Sequence, residues 1–285
     1  MADSSQKRKA ALDPKPSASN KRTKGKKHWR APRTGGAAVM AQTRSIEPGD
    51  AGIWATCDMR KEGKCVAELR DTFDEYARKL YGASHDDAAA EGGEAEQDEP
   101  DIEVEIQREL ENISKPTMEP LFTHIRLDTD CVVFFKTRPP VEPVSFVHAI
   151  CAEAASSAER KQSRFVKRLT PMTVIGKATD KGLDEIIQQV LAPHFHGPDC
   201  AGKKFAIRPT FRNHKALTRE GVIRKVAAAV GPGHKVDLKD YDLLILVDIY
   251  KNICGMSVVG ADYERLKRYN LAEIYEPTPK NNQTQ

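Results

Sequence analysis

The sequence predicts an α+β protein: two folded units, each made of strands and helices, behind a disordered basic tail. Three observations predict it. Apolar residues spaced three and four apart alternate along the chain with short runs of period two, so helices and strands are interleaved. At 285 residues, with 39% hydrophobic side chains, the chain is long enough to build about two cores. Its charge is segregated: eleven Lys/Arg against two Asp in 1–33, twelve Asp/Glu against one Arg in 86–111, and fifteen Lys/Arg against five Asp/Glu in 160–225. Blocks of this size signal interaction surfaces more than core.

Residues 1–48 mix Lys, Arg, Ser, Pro, Gly and Ala without periodicity, and too little apolar area is present to offset the chain entropy of ordering them. KRK at 7–9 and KRTKGKK at 21–27 are spaced like a two-part nuclear import signal, and they equally suit a tail that binds nucleic acid without specificity. GIWATCD at 52–58 reads as a strand. The following helix places Val66, Leu69, Phe73, Tyr76 and Leu80 inward, with Lys64, Arg70, Asp74 and Arg78 elsewhere, and ends at Gly82. The acidic stretch 86–101 reads as a solvated loop, and a further helix is expected through Ile102, Ile106 and Leu110. FTHIRLD at 122–128 and DCVVFFK at 130–136 read as a hairpin. Pro143 then opens a helix with Phe146, Val147, Ile150 and Ala154 on one side.

From Arg164 the pattern becomes extended and basic. Next come a helix with Leu183, Ile186, Ile187, Val190 and Leu191 inward, and the strand KKFAIRPTFRNHK at 203–215. Thr218 is placed to cap a helix that buries Val222, Ile223, Val226 and Val230 and stops at Gly231 and Pro232. YDLLILVDIY suits a strand buried on both faces, and ICGMSVVG suits its hairpin partner.

No stretch approaches the roughly twenty apolar residues that cross a bilayer, so no membrane partner is expected. Six cysteines without a C-x-x-C pair suit reduced thiols in an intracellular protein. The enzyme signatures sought were G-x-x-x-x-G-K-[ST], G-x-G-x-x-G and G-x-S-x-G, and none is present; Gly255 and Gly260 have phosphate-loop spacing, but Ala261 stands where lysine would be required. His194, His196 and Cys200 supply three potential metal ligands without a fourth, in what reads as a helix end and loop, so neither metal nor other cofactor is expected.

The basic strand is the more informative feature. Its alternation puts Phe205, Ile207 and Phe211 on one face and Lys204, Arg208 and Arg212 on the other. Asn213, His214 and Lys215 then lead into a helix N-terminus, whose free N–H groups and positive end suit a phosphate. Lys and Arg also sit on surface strands for solubility alone. Pro209, lacking a donor, favours an edge strand or bulge.

In order and wording, 204–231 (KFAIRPTFRNHKALTREGVIRKVAAAVG) and 235–260 (KVDLKDYDLLILVDIYKNICGMSVVG) resemble the THUMP domain, an RNA-binding module of tRNA-modifying proteins. GIWATCDMRKEGKCVAELRDTFDEYARKLYG at 52–82 and FVKRLTPMTVIGKAT at 165–179 resemble one branch of it, the adaptors of tRNA cytidine acetylation. The resemblance implies a tail at 1–48, a ferredoxin-like N-terminal domain at 49–142 carrying the acidic loop 86–101, an α/β THUMP domain at 143–262 and a C-terminal tail at 263–285. It implies a non-catalytic protein, in the nucleus or nucleolus, that presents the D-arm of serine and leucine tRNAs to a separate RNA cytidine acetyltransferase. That enzyme uses acetyl-CoA and ATP to make N4-acetylcytidine. In other THUMP proteins the module is fused to an enzyme domain, and none is expected after Gly260 here. The candidate RNA-contacting residues are Lys167, Arg168, Arg208, Arg212, Asn213, His214, Lys215, Thr218, Arg219 and Arg224, with no DNA partner expected. Two alternatives stay open: a stand-alone RNA-modifying enzyme with an unrecognised site, and a general factor that binds structured RNA during ribosome assembly.

Overall fold

In the computed structural model, residues 45–82, 120–156, 163–198 and 200–277 are described. The basic clusters at 7–9 and 21–27, the acidic stretch 86–101 and the helix expected through 102–110 lie outside them.

The first unit runs β1 (Ala51–Cys57), α1 (Glu62–Tyr81), β2 (Phe122–Ile125), β3 (Val132–Thr137), α2 (Pro143–Ser156) and β4 (Val166–Met172). Its four strands lie in the order β2-β3-β1-β4, with every neighbouring pair antiparallel. This is the ferredoxin-like βαββαβ arrangement. The unit boundary expected at 142/143 is moved by this pairing: α2 covers β1 and β4, and β4 completes the first sheet, so the unit extends to Met172. The reason is burial. Phe146, Val147, Ile150, Cys151 and Ala154 on α2, and Val166 and Leu169 on β4, share a core with Ile53, Leu69 and Phe73.

Along α1 the buried stripe is Cys65, Leu69, Phe73, Tyr76 and Ala77. Val66 is half-buried and Leu80 is 46% exposed, contrary to the expectation that both face inward. A 3.6-residue turn carries a fixed stripe off its face over five turns, and at the last turn Tyr81 takes the inward place, stacked on Phe146 at 6.3 Å.

The second unit contains β5 (Val174–Lys177), α3 (Asp180–Phe195), β6 (Lys204–Arg212), α4 (Arg219–Val230), β7 (Lys235–Val236), β8 (Leu243–Tyr250) and β9 (Ile253–Gly260). Its sheet order is β5-β9-β8-β6-β7, with β6 parallel to β8 and β7 and the remaining pairs antiparallel. β8, apolar except for Asp248, lies between β9 and β6, and Leu244 to Tyr250 are buried, as a strand covered on both faces requires. Thr179 and Thr218 cap α3 and α4, accepting from Gly182 N at 3.1 Å and Gly221 N at 3.2 Å. Ile223 on α4 is half-buried rather than core.

Residues 263–276, expected as part of a tail, are packed. Two short turns (Ala261–Tyr263 and Lys267–Tyr269) lead into α5 (Leu271–Tyr275), which lies against α2 and β4. Tyr263, Leu266, Tyr269, Leu271 and Ile274 are buried. The segment thus returns from the second sheet to clasp the first.

Helices α1 and α2 cover one face of the first sheet, and α3 and α4 cover one face of the second. The uncovered faces look at each other. Trp54 on β1 meets Tyr250 on β8 at 5.5 Å, and Ser257 on β9 donates to the Pro171 carbonyl at 2.7 Å. Gly52 lies on the same face of β1 as Trp54, where a Cβ would stand 2.3 Å from the Phe134 ring and 2.5 Å from the Phe135 carbonyl oxygen. Neither the backbone oxygen nor the packed ring can yield. Gly52→Ala is expected to cost about 3 kcal/mol, the upper end for overpacking, as measured by urea or thermal unfolding. A variant that melts with the parent would refute this packing.

Candidate nucleic-acid interface

On β6 the apolar face (Phe205, Ile207, Phe211) packs with α3 and α4 in the second core. The even-numbered face carries Arg208, Thr210 and Arg212, and it faces the first sheet across a cleft. The sequence expectation of a surface strand is thus corrected: the arginines point between two layers. The cleft, about 140 Å³, is lined from the first sheet by Thr56, Arg168, Thr170 and Met172, from the second by Arg208, Thr210, Arg212 and Asp248, and from the C-terminal segment by Tyr263 and Arg268. Four guanidiniums line the cleft with one carboxylate, Asp248, and a second carboxylate, Glu264, pairs with Arg208 and Arg268 beside it. An excess of positive charge between low-dielectric walls attracts a polyanion more strongly than the same charge on open surface.

Among the described residues, Arg208 and Arg212 are held by partners, and Arg168 is not. Arg212 is ion-paired and hydrogen-bonded to Asp248, which is 3% exposed, and lies 5.9 Å from the Trp54 ring. Burial pushes the Asp248 carboxyl above its ordinary range, and the charge and hydrogen bond of Arg212 oppose that rise. Arg208 donates from Nη2 to Glu264 at 2.7 Å and lies over Tyr263 at 5.5 Å. Its Nη1 is buried and has no hydrogen-bond partner among the described residues, which leaves a donor for an incoming oxygen. Arg168 is exposed, forms no ion pair among the described residues, and has its backbone N–H on Thr56 Oγ1 at 3.2 Å.

The other sequence candidates are distributed differently. Lys167, exposed beside Arg168, is paired with Asp58. Asn213, at φ 52°, donates to Thr129 Oγ1 at 3.2 Å, which ties the loop after β6 to the first unit. His214 is a brace: its Nε2 accepts from Leu217 N at 2.7 Å, so Nδ1 carries the proton and donates to the Lys251 carbonyl. Thr218 is consumed as a cap. Arg219 donates to the Pro209 carbonyl at 2.9 Å, satisfying an edge acceptor that no neighbouring strand reaches. Lys215 and Arg224 are exposed and form no ion pair among the described residues. The expected site is therefore divided between a cleft (Arg168, Arg208, Arg212) and a helix end (Lys215, Arg224).

Sequence reasoning missed Trp54, Thr56, Thr170, Asp248, Glu264 and Arg268. One signal existed. A charge inside the apolar run LLILVDIY must find a partner when buried, and Asp248 finds it one strand away. His194, His196 and Cys200 do not converge: His196 donates to the Ala229 carbonyl at 2.9 Å, and Cys200 makes a weak 3.8 Å contact to the Pro193 carbonyl. Among the described residues no three His, Cys, Asp or Glu side chains are grouped to hold a metal ion.

A THUMP domain family model matches residues 177–259. The chain is 35% identical over 255 residues to tRNA acetyltransferase TAN1 of Saccharomyces cerevisiae, covering 81% of this chain and 86% of that one. It is 33% identical over 231 residues to an uncharacterized protein of Schizosaccharomyces pombe, covering 81% and 78%. It is 32% identical over 245 residues to human THUMP domain-containing protein 1, covering 83% and 67%.

Proposed function

The chain belongs to the THUMP-domain family that includes yeast TAN1, and on that premise we propose that it binds tRNA in the inter-sheet cleft and presents it to a separate RNA cytidine acetyltransferase. The observation that carries this reading is the convergence of Arg168, Arg208, Arg212 and Arg268 on one cleft, with the unpartnered Nη1 of Arg208 among them. Guanidiniums held by ion pairs and aromatic faces are preorganised for phosphate, because their planar donor forks match its oxygens. Three threonines, Thr56, Thr170 and Thr210, add hydroxyls of either polarity. The name of the yeast relative supports a role in tRNA acetylation. The resemblance described above supports the finer assignment, namely the D-arm of serine and leucine tRNAs and N4-acetylcytidine as product.

That relative's name also favours a second reading, in which the chain itself transfers acetyl. The chemistry of its residues argues for the adaptor. Burial holds the thiols of Cys57, Cys65, Cys151 and Cys254 above their ordinary range, that of Cys254 at about 12, so these cysteines are poor nucleophiles. The adaptor acts by position: holding tRNA and enzyme together raises effective concentration and orients the target base. The test is reconstitution with tRNA, acetyl-CoA and ATP. Acetylcytidine is expected only when both the chain and the acetyltransferase are present, and its formation by the purified chain alone would establish the second reading instead.

A further inference from the structure

Glu264 bridges two of the arginines that line the cleft, Arg208 and Arg268. Its Oε1 accepts from Arg208 Nη2 at 2.7 Å and its Oε2 from Arg268 Nε at 2.7 Å, with the Tyr241 hydroxyl donating to Oε1 at 3.4 Å. One carboxylate thus bridges two guanidiniums with one oxygen each, which is how two oxygens of a phosphate would be held. Burial works to raise the Glu264 carboxyl, but hydrogen bonds and charge from Arg268 and Arg208 outweigh it and hold the group below its ordinary range. The carboxylate is ionised whenever the protein meets RNA near neutral pH.

The backbone around it is strained. Lys267, Arg268 and Tyr269 are consecutive non-glycine residues at φ 51°, 59° and 56°. The left-handed region is unfavourable for an L-residue, so three in a row persist only because the surroundings impose them. Tyr269, fully buried, crosses Tyr263 edge-on at 4.8 Å and anchors the turn from beneath. The turn places Arg268 on the cleft wall, within reach of Glu264.

We infer that Glu264 is a built-in competitor for phosphate: it keeps Arg208 and Arg268 aligned while the cleft is empty and is displaced by a backbone phosphate of bound RNA. This rests on the reading that the cleft binds RNA. An isolated phosphate anion then competes poorly with a tethered carboxylate, whereas an RNA that also engages Arg168 and Arg212 can displace it. The occupied fraction lowers apparent affinity without altering the intrinsic contacts.

The test compares the full chain with Glu264→Gln and Glu264→Asp, using tRNA and, separately, inorganic phosphate as ligands at constant ionic strength. Glu264→Gln is expected to bind both about three- to tenfold more tightly, given the modest strength of part-exposed ion pairs. Glu264→Asp, which keeps the charge, is expected to stay with the parent. The gain should vanish when Arg208→Gln and Arg268→Gln are added. If the glutamine variant melts early, Glu264→Asn removes the same charge with a shorter side chain and repeats the comparison. Unchanged or weaker binding of both ligands by a folded, neutral variant would make Glu264 a structural brace and overturn the proposal. Tighter inorganic phosphate binding with no tRNA binding by any form would uphold the competitor and remove the RNA reading.

Discussion

Replacing Arg168, Arg208 and Arg212 together by glutamine is expected to weaken tRNA binding about 100-fold. Asp248→Asn must accompany the change, because removing Arg212 alone would strand a carboxylate that is 3% exposed, and breaking a buried pair costs about 3–5 kcal/mol of stability. With that correction the fold should survive and binding alone should suffer. The size follows from three lost charge-assisted contacts at about 1 kcal/mol each, a value reduced from the buried range because Arg168 is exposed and Arg208 and Arg212 are only part-buried. Salt dependence gives an independent reading. If the parent neutralises about five phosphates, log affinity falls against log salt with a slope of roughly −3 to −5, and the variant's slope should be shallower by about two to three. Lys215→Gln with Arg224→Gln, at the exposed helix end, should cost less than the cleft arginines. Filter binding across a salt series measures all three proteins. Parent-like affinity in the folded cleft variant would place the RNA elsewhere on the molecule.

The same cleft variant, expressed in place of the parent in cells, is expected to abolish acetylcytidine in tRNA while sparing it in ribosomal RNA. The reasoning is positional: an adaptor contributes orientation and effective concentration, so losing its grip removes only those substrates the enzyme cannot hold unaided. Nucleoside mass spectrometry of separately purified tRNA and ribosomal RNA decides it. Equal loss from both pools would point to a general role in RNA assembly, and no loss from either would dissociate the cleft from acetylation.

Much of the architecture was legible because local pattern and burial agree. The period-two run at β6, the three-and-four spacing of Leu183, Ile186, Ile187, Val190 and Leu191, and the cap Thr218 each state a structure within a few residues of sequence. What failed was anything that needed a distant partner. FVKRLTPM reads as a basic strand, yet nothing local says that β4 joins β1, more than a hundred residues earlier, instead of the strands that follow it. Leu80 and Tyr81 exchanged roles because a helical stripe drifts over five turns, and the choice between them rests with the neighbouring Phe146.

The sequence by itself determined the charge pattern of this protein: Arg208 and Arg212 on one face of a strand whose other face is apolar. It also held a signal that went unread: Asp248, in a run of buried apolar residues, needs a cation. Only the tertiary structure decided which arginines act together. Charge is additive along a chain, but electrostatic coupling falls with distance through a dielectric set by burial. Arg168 and Arg212, on different sheets, became one site; Arg219, seven residues from Arg212, was withdrawn to the Pro209 carbonyl; and Arg268, which the sequence places in a tail, was turned into the cleft by a left-handed turn that no local preference would choose.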